Sequence, residues 1–423
     1  MECTIKPKRI AIVGTGVSGL VCAHALHRHH AVEVFEAADW IGGHVHTVAV
    51  ELEGRRFDVD TGFIVFNDRT YPGFSRLLDE LGVASQPTDM GFSVRSDAEG
   101  VEYAGGSLSE LFADRRNLLR PRFLRMVRDV LRFYRDARGL LEHPDPKVSL
   151  GEWLEGRGYG RELLAHHLLP MSAAIWSCPP RAVLDFPALS LVRFLENHGL
   201  LSLRDRPQWR VIQGGSARYV EALVAPFRER IRRHCAVRSL RRAAGGVELA
   251  LADGSCRHFD EVVLALHSDQ ALAILADPSP AERAVLGAIR YQPNDVLLHT
   301  DVRVLPRRRR AWASWNYHIL PGERAGAAVT YHMNRLQGLR APAELCVTLN
   351  AAELVDPARV LARFAYDHPV LDQRAVRAQD DWAAVSGPRH THYCGAYWGH
   401  GFHEDGVQSG LRVASALGLG ATS

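Results

Sequence analysis

The first forty residues contain the pattern that most restricts how this chain can fold. Residues 9–37, RIAIVGTGVSGLVCAHALHRHHAVEVFEA, predict a buried strand from Ile10 to Val13, a glycine-rich turn, a helix and a second strand that ends at Glu36. Glycines spaced as G-x-G-x-x-G between a strand and a helix are typical of a βαβ unit that binds a dinucleotide. The first glycine allows the tight turn, the second lets a pyrophosphate approach the backbone, and the third lets helix and strand pack closely. The helix N-terminus would face the phosphates. The carboxylate of Glu36 would bind the ribose hydroxyls. We therefore expect cofactor contacts from Gly14, Gly16, Val17, Ser18, Gly19 and Glu36.

Length and composition favour a large protein of a reducing compartment. With 423 residues, 47% of them hydrophobic, the chain exceeds one typical core, so two domains or one large α/β body are expected. The cysteines are odd in number, scattered and never spaced as CxxC, which argues against a disulfide framework and a zinc site. No segment reaches the ~18 apolar residues that span a bilayer. We expect a cytoplasmic protein and leave open a peripheral contact with the inner membrane face. The seven cysteines are Cys3, Cys22, Cys178, Cys235, Cys256, Cys346 and Cys394.

The residues after Glu36 indicate which dinucleotide is bound. The chain continues through IGGHVHT (residues 41–47) and FDVDTGFIVFN (residues 57–67). Here the sequence resembles the flavin-containing amine oxidase superfamily, which includes monoamine oxidases, protoporphyrinogen oxidases and phytoene desaturases. The resemblance implies FAD, with a second glycine pair passing its phosphates and an Asp-x-Gly segment near the isoalloxazine. The matching positions are Gly42, Gly43, Thr47, Asp60 and Gly62, and the one departure is His44, where the family usually has an arginine.

Further blocks extend the resemblance from residue 9 to about residue 418. WRVIQGGSARYVEAL (residues 209–223) matches a strand, a Gly-Gly turn and a helix of the family. Alternating apolar positions in residues 235–266, with a turn at Asp253-Gly254, predict a β-hairpin followed by a buried strand from Val262 to Leu266. By resemblance, the backbone of Val237 would contact the adenine end of FAD. The detail is closest to a bacterial subgroup of predicted FAD-binding proteins.

The resemblance implies an α/β fold in which a Rossmann-like FAD-binding domain is interrupted by a discontinuous α+β substrate domain. The FAD-binding parts would be residues 1–89, 206–266 and 386–423, and the substrate parts residues 90–205 and 267–385. Neither an internal repeat nor a low-complexity linker is visible, so we expect the two domains to share a large interface.

An arginine-rich segment within the first substrate part permits two interpretations. Residues 111–142 place apolar residues at helical spacing with arginines between them. An ordinary substrate-domain helix with a solvated arginine face explains the pattern, and so does an amphipathic helix that rests on anionic lipid and admits a lipid substrate. A second run, Arg307 to Arg310, is typical of a solvated loop. No recognised module surrounds either run, so we expect no nucleic-acid partner, and the sequence indicates no oligomeric state. The apolar positions are Phe123, Met126, Val127, Val130, Leu131 and Tyr134.

The scarcity of lysine bears on the reaction. By resemblance, amine oxidases that use oxygen generally carry a lysine that reaches flavin N5 through a water. The chain has only Lys6, Lys8 and Lys147, and none lies in the candidate substrate strands between residues 291 and 350. This absence favours a desaturase, dehydrogenase or isomerase over a fast oxygen-reducing amine oxidase.

The C-terminal stretch HTHYCGAYWGHGFHED (residues 390–405) first suggests a metal site. We predict His390 and His392 on opposite faces of a strand that ends at Cys394, with no second ligand cluster near His400 and His403, and we expect no metal. By resemblance, Gly395 turns at the pyrophosphate and a helix from Gly406 to Leu417 points its N-terminus at flavin N1 and O2. The expected cofactor contacts here are Gly395, Asp405, Gly406 and Val407, and the expected substrate wall is Tyr397, Trp398 and Phe402.

The predicted function is an FAD-dependent oxidoreductase that passes a hydride from a substrate carbon to flavin N5. Phe402 stands where the family has a tyrosine of the amine cage, and its lack of a hydroxyl suits an apolar, fatty-acyl-like substrate that is desaturated or isomerised. If a proton also moves, His403, Glu404 or His44 is the candidate base. The alternatives are an amine oxidase without the usual lysine and a non-catalytic or redox-sensing flavoprotein in a complex.

Overall fold

A five-stranded parallel sheet carries the first βαβ unit of the protein. The computed structural model describes residues 6–322 and 326–418, so Cys3 lies outside the described residues. The sheet has the order β10-β2-β1-β14-β20. Ile10 and Ile12 of the first strand pack on one face, and Ala11 and Val13 on the other. Burial on both faces explains the unbroken apolar run at the start of the chain. The strands are β1 (Arg9–Val13), β2 (Ala31–Phe35), β10 (Ile231–Arg232), β14 (Glu261–Leu264) and β20 (Thr391–Tyr393).

A seven-stranded sheet forms the second layer of the molecule. Its order is β19-β15-β18-β17-β16-β7-β8, and its neighbours run antiparallel except for the parallel pair of β16 and β7. The strands are β7 (Phe92–Ser96), β8 (Val101–Ala104), β15 (Arg290–His299), β16 (Trp315–Ile319), β17 (Val329–His332), β18 (Cys346–Leu349) and β19 (Val360–Val370). All seven strands lie within residues 90–205 and 267–385, the ranges that we propose as the substrate domain.

Three small sheets connect the two layers. The predicted hairpin after residue 235 is part of a three-stranded meander, and the turn at Asp253-Gly254 joins its second and third strands. The remaining strands form a ribbon, β3-β4, and a sheet of order β5-β9-β6. The strands are β3 (Thr47–Leu52), β4 (Arg55–Asp60), β5 (Phe66–Asn67), β6 (Ser85–Pro87), β9 (Trp209–Ile212), β11 (Val237–Ala243), β12 (Gly246–Leu251) and β13 (Cys256–Phe259).

The helices pack on both layers and cover the space between them. They are α1 (Val17–Leu26), α2 (Pro72–Glu80), α3 (Leu108–Leu111), α4 (Pro121–Glu142), α5 (Leu150–Leu154), α6 (Arg161–Leu163), α7 (Leu169–Trp176), α8 (Ala188–Asn197), α9 (Ala217–Val224), α10 (Ser268–Ile274), α11 (Pro280–Leu286), α12 (Met333–Leu336), α13 (Gln373–Asp380), α14 (Trp382–Val385) and α15 (His403–Ala416). No helix in the described ranges is long and apolar enough to cross a membrane. The predicted α/β fold class is confirmed.

Three local predictions need correction. The segment 111–142 is not one helix, because Pro121 occupies the first turn of α4 and a 3-10 turn, Arg115–Leu119, precedes it. The last helix begins at His403 rather than Gly406, because the side chain of Asp405 accepts a hydrogen bond from the Phe402 N–H and closes the first turn.

The third correction concerns the paired histidines, which do not lie on opposite faces of a strand. His390 ends a 3-10 turn before β20, and His392 lies within β20. A ring nitrogen of each approaches the carboxylate of Glu261, at 3.5 Å from His390 and 3.4 Å from His392. The described residues contain no group of three or more His, Cys, Asp or Glu side chains placed to hold a metal ion.

Candidate active site

One cavity of about 1180 Å³ lies between the two layers, at the carboxyl ends of β1, β2 and β14. This edge is where open parallel sheets bind ligands. The volume exceeds the roughly 300–1,000 Å³ of a typical small-molecule pocket, so the cavity has room for more than one ligand. We call its two halves the glycine end, which Gly14, Gly16 and Gly43 line, and the apolar arm, which Val127 and Trp176 line.

The glycine end begins at the turn after β1. Gly14 has a φ of +102°, and a Cβ there would clash with the carbonyl oxygen of Ala265. A side chain at Gly19 would clash with the Gly14 carbonyl, which explains how closely α1 packs on the turn. A Cβ on Gly16 would instead have no atom of the chain within 4 Å, since it would project into the cavity. Gly14 therefore permits the turn, Gly19 permits the close helix packing, and Gly16 leaves the space above it open to the cavity.

The carboxylate of Glu36 lies at the wall of the same end. It accepts hydrogen bonds from the Thr15 N–H at 3.0 Å and the Ala38 N–H at 2.9 Å, and from the Thr15 hydroxyl. A carboxylate offers about four acceptor positions, so one remains for a ligand hydroxyl. Val237 lines the cavity beside it, held there because the Cys235 N–H donates to the Glu36 carbonyl at 2.8 Å. Glu36 and Val237 thus lie together at the wall of the glycine end.

The second glycine pair closes over the first turn. Gly43 has a φ of +59°, and a Cβ on it would lie 3.0 Å from the Cα of Gly16. Gly42, Gly43 and Gly62 all line the cavity, and a side chain at Gly62 would overlap the carbonyl of His44. The two glycine turns therefore face each other at a distance that leaves no room for side chains between them. Bare backbone of this kind suits a diphosphate.

His44 lies in a group of histidines that are distant in sequence and were not predicted to be close in space. Its ring centroid lies 5.7 Å from that of His267 and 5.4 Å from those of His368 and Tyr366. Burial and the neighbouring His267 lower the pKa of His44 to about 4, and burial lowers the pKa of His267 to about 4 and of His368 to about 3. The Nε2 atom of His44 is buried and has no hydrogen-bond partner among residues 6–322 and 326–418. The ring is hydrogen-bonded to the backbone of Asp367, so in the neutral imidazole the free Nε2 can accept a hydrogen bond or a proton from a ligand in the cavity.

Thr47 and Asp60 do not line the cavity. The buried Asp60 carboxylate accepts from the Thr47 hydroxyl at 2.5 Å, from the Ser216 N–H at 2.9 Å and from the Gln337 amide at 3.0 Å. Burial raises the pKa of Asp60 to about 6, although the bonds from Thr47 and Ser216 lower it. These two residues tie the β3-β4 ribbon to the Gly214-Gly215 turn, so their effect on the cavity is through the backbone.

The C-terminal segment closes the cavity on its remaining side. Gly395, Tyr397, Phe402 and His403 line it. A side chain at Gly406 would clash with Val17, so α15 packs closely on the start of α1, and the two helix N-termini point at one cavity. Asp405, Gly406 and Val407 support this packing and do not line the cavity.

The three candidate bases occupy different environments. The Nε2 of His403 lies 2.6 Å from the Tyr219 hydroxyl and its ring stacks on Phe63, and burial holds its pKa well below the usual range. Glu404 accepts from the N–H groups of Gly73 at 3.0 Å and Phe74 at 2.8 Å, which makes it a cap for α2 outside the cavity. His44 is the one candidate of the three with an unpartnered ring nitrogen at the cavity wall.

The expected substrate wall is present in part. Phe402 stacks on Phe194, with ring centroids 4.9 Å apart and planes 25° apart, and the edge of Trp176 lies 6.3 Å away. Tyr397 lines the cavity, whereas Trp398 packs behind it with ring centroids 5.1 Å apart. Trp398 is therefore a packing residue behind the wall.

The apolar arm runs from Phe402 to an opening at the surface. On α4 it is lined by five of the six apolar positions predicted from helical spacing, namely Met126, Val127, Val130, Leu131 and Tyr134. On the opposite wall His167, Met171, Ile175 and Trp176 follow one another along ten residues, roughly 13 Å of helix. At the surface the cavity ends between Leu108, Leu131, Leu203 and Arg206, all exposed.

Sequence reasoning missed His167, which interrupts this apolar wall. It lies in a π-helical turn, Leu164–Leu168, a feature that often marks functional sites and has no signal in a single sequence. The Tyr103 hydroxyl lies 3.1 Å from its Nδ1, and its Nε2 is buried with no partner among the described residues. Burial lowers the pKa of His167 to about 4, so the ring is neutral near pH 7.

None of the three lysines lines the cavity. Lys8 forms an ion pair with Glu261 at 2.8 Å, and Lys6 and Lys147 are exposed. The sequence-based inference that no lysine can reach the reacting centre therefore agrees with the geometry.

Fold and cavity together define the class: an α/β dinucleotide-binding protein whose glycine end and apolar arm meet in one cavity. The family model for flavin containing amine oxidoreductases matches residues 17–331, and the chain belongs to that family. The predicted superfamily is confirmed, and the predicted FAD cofactor and oxidoreductase class agree with this flavin-containing family.

Individual relatives agree on the family. The chain is 30% identical over 284 residues to a Mycobacterium tuberculosis protein whose name is flavin-containing monoamine oxidase AofH. This match covers 64% of the chain and 59% of that protein, so the chain spans about three fifths of its relative's length.

Solved structures agree on the fold. The CLA-producing fatty acid isomerase from P. acnes superposes with a TM-score of 0.70 at 16% identity, over 97% of this chain and 99% of that one. Cyclohexylamine oxidase from Brevibacterium oxydans gives 0.68 at 16% identity, over 97% and 99%.

Proposed function

We propose that this protein removes a hydride from a carbon of a long apolar chain, and so desaturates or isomerises a fatty-acyl-like substrate. The observation that carries the proposal is the apolar arm, which leads from Leu131 at the surface to Phe402 beside the glycine end. An apolar chain gains free energy when it leaves water for such a wall, whereas a small amine would leave most of it uncovered. The fold serves a fatty acid isomerase as well as amine oxidases, so it is compatible with either substrate class.

The glycine end is the proposed FAD site. The residues that would contact the cofactor are Gly14, Gly16, Val17, Ser18, Glu36, Gly42, Gly43, His44, Gly62, Val237 and Gly395, which all line the cavity. Gly19, Thr47, Asp60, Asp405, Gly406 and Val407 would support it by fixing the backbone around it.

The chain's own groups prepare the reaction. When bound, the isoalloxazine ring of FAD supplies the hydride acceptor. The N-terminus of α15 lines the cavity at His403, and its helix dipole would stabilise negative charge beside it. Desaturation also removes a proton from the adjacent carbon, and His44 has the free, neutral ring nitrogen to accept it. Desaturation would consume one external two-electron acceptor for each double bond formed, whereas an isomerisation, in which another carbon of the same chain regains the hydride, would consume none.

Anaerobic mixing tests the proposal. The purified holoprotein is mixed with long-chain fatty acids, with extracted membrane lipids and with simple amines, while flavin absorbance is followed and products are analysed by mass spectrometry. We expect lipids to bleach the flavin or to yield an isomer without bleaching. Rapid bleaching by amines, with lipids neither bleaching nor converted, would refute the proposal.

A cavity variant sharpens the test. Ile175→Phe narrows the apolar arm without touching the glycine end, so turnover of long chains should fall more than that of short ones while FAD content stays constant. The matched control is Leu361→Phe, at an exposed position of β19.

An amine oxidase without the lysine is the second candidate. Family membership and the aromatic group of Phe402, Phe194 and Trp176 favour it, since aromatic faces also bind cations. Hydrogen peroxide and aldehyde formed from amines in air would support this candidate.

A further inference from the structure

Three exposed leucines, Leu108, Leu131 and Leu203, line the cavity where the apolar arm reaches the surface, and three more, Leu118, Leu119 and Leu124, lie in the chain between the first two. Nine large hydrophobic side chains are exposed among the described residues, and six of them lie in residues 108–131 or at residue 203. The most exposed is Leu119, at 86%, followed by Leu108 at 75% and Leu203 at 67%. We call the set Leu108, Leu118, Leu119, Leu124, Leu131 and Leu203 the leucine rim. A concentration of exposed apolar side chains around a cavity mouth is unusual for a surface that faces only water.

Arginines are interspersed with these leucines. On α4 the exposed residues Leu124, Arg128, Leu131 and Arg135 follow at spacings of four, three and four, which places them on one stripe of the helix. Residues 115–135 contain eight arginines and one acidic residue, Asp129. Arg128 pairs with Asp129 at 2.9 Å and Arg135 with Asp136 at 3.7 Å, and four more of these arginines form ion pairs. Only four carboxylates serve all six pairs, those of Asp114, Asp129, Asp136 and Glu162, so the eight arginines retain an excess of positive charge.

The other edge of the opening also combines an exposed leucine with arginines. Leu203 is flanked by exposed Arg204 and Arg206, and Arg206 itself lines the cavity. The second arginine run lies nearby, because α3 packs against the 3-10 turn Arg309–Ala311. Within that run Arg308 pairs with Glu102 at 2.7 Å and with Asp114 at 3.3 Å, while Arg309 and Arg310 are exposed.

We propose that the leucine rim and its arginines dock on an anionic phospholipid bilayer, so that the apolar arm opens into the acyl layer. Leucines that enter the acyl boundary beside arginines at headgroup level are the arrangement that binds a membrane interface, and the positive charge complements anionic lipids. The proposal rests on the proposed function for its purpose, which is to deliver an acyl chain to Phe402 without passage through water. The binding of the rim to a bilayer is independent of the proposed function.

Vesicle flotation with the FAD-loaded protein tests the docking. The probes are vesicles of pure phosphatidylcholine and vesicles with phosphatidylglycerol added in equal amount. The wild-type protein should float with the anionic vesicles, and more weakly at high salt. Arg128→Gln with Arg135→Gln should weaken binding to anionic vesicles about fivefold per charge and leave the neutral vesicles unaffected.

Leucine variants separate the rim from the rest of the surface. Leu119→Glu with Leu203→Glu should lower binding at least about tenfold. The matched control is Leu361→Glu with Leu411→Glu, at leucines that are 42% and 36% exposed outside the rim, and it should bind like the wild type. Wild-type protein that floats with neither vesicle, rim variants that bind normally, or a control that binds as weakly as the rim variant would each overturn the proposal. A dimer in solution that Leu119→Glu dissociates, together with no vesicle binding, would assign the rim to a second copy of the chain.

Turnover of a detergent-dispersed lipid distinguishes this proposal from the function it rests on. Vesicle binding without conversion of any lipid refutes the proposed substrate and leaves the docking intact. Conversion of dispersed lipid without vesicle binding refutes the docking alone.

Discussion

Replacing Gly16 with alanine separates cofactor contact from folding at the first turn. Gly16 precedes α1 with a φ of −63°, a value that any residue adopts, and a Cβ on it would meet nothing within 4 Å. Gly14 has a φ of +102° and no room for a side chain. In the apoprotein, Gly16→Ala should leave the free energy of unfolding unchanged or raise it by about 0.4–1 kcal/mol, whereas Gly14→Ala should lower it by more than that.

For the affinity for FAD, we expect Gly16→Ala to be harmful although it leaves the stability of the apoprotein intact. The added methyl group at Gly16 would occupy the space through which a diphosphate reaches the N–H groups at the start of α1. A hydrogen bond to a charged group contributes about 1.5–3 kcal/mol, so the loss of two such bonds removes about 3–6 kcal/mol of binding free energy. At 1.4 kcal/mol per factor of ten, FAD should bind Gly16→Ala about 10² to 10⁴ times more weakly.

The assay combines thermal melting of the apoproteins with FAD titration followed by flavin fluorescence. Gly16→Ala should melt at the wild-type apoprotein temperature and should lose most of the stabilisation that added FAD gives the wild type. If Gly16→Ala bound FAD as tightly as the wild type, the cavity at Gly16 would not be the diphosphate site. If its apoprotein melted as low as that of Gly14→Ala, the assignment of open space above Gly16 would be wrong.

Three further substitutions test the assigned roles. Glu404→Ala should lower the free energy of unfolding by about 0.5–2 kcal/mol, because Glu404 caps α2, and should leave the flavin reduction rate unchanged in stopped flow; a large loss of rate would restore it as a base. Phe402→Tyr should lower kcat/KM for a long-chain substrate about tenfold, because a hydroxyl facing the chain loses about 1–3 kcal/mol of hydration, and equal kcat/KM values would place the chain elsewhere. Because the pKa of Asp60 rises from 3.8 to about 6 on folding, the native state binds the extra proton and the contribution of this group to stability falls as pH rises from 3.8 to 6, by up to about 3 kcal/mol. Chemical unfolding of wild type and Asp60→Asn at several pH values should therefore show the wild type gaining on the variant toward acid pH, and a pH-independent difference would contradict the raised pKa.

Local chemistry made parts of the fold predictable. The buried strand at Ile10–Val13, the glycine turn and the helix after it are dictated by residues adjacent in sequence, and they appear within a residue or two of the predicted bounds. The same holds for the strand, Gly-Gly turn and helix of residues 209–224. The start of α15 was misplaced by three residues because the capping role of Asp405 depends on the Phe402 backbone conformation, which composition does not reveal.

The remaining features depend on contacts between distant segments. His44, His267 and His368 are separated by more than three hundred residues in total and meet only because β14 and β19 end at the same cavity. Glu404 was one of three candidate bases, yet it caps α2 through Gly73 and Phe74, which lie about 330 residues earlier. A single sequence carries no signal for such pairings, whereas the apolar stripe of α4, a local periodicity, was identified correctly.

The cluster of neutral histidines changes where the charge at the glycine end comes from. The resembling family places an arginine after the second glycine pair, but here His44 has a pKa of about 4, and its neighbours His267 and His368 are also lowered. Side chains at this point therefore add no positive charge near pH 7. The positive end of α1, equivalent to roughly half a unit charge, remains to balance a diphosphate, and the positive end of α15 adds to the potential of the same cavity. Their alignment depends on Gly406, whose missing side chain lets α15 approach Val17, so the electrostatics of the cofactor site rest on backbone packing rather than on a basic residue.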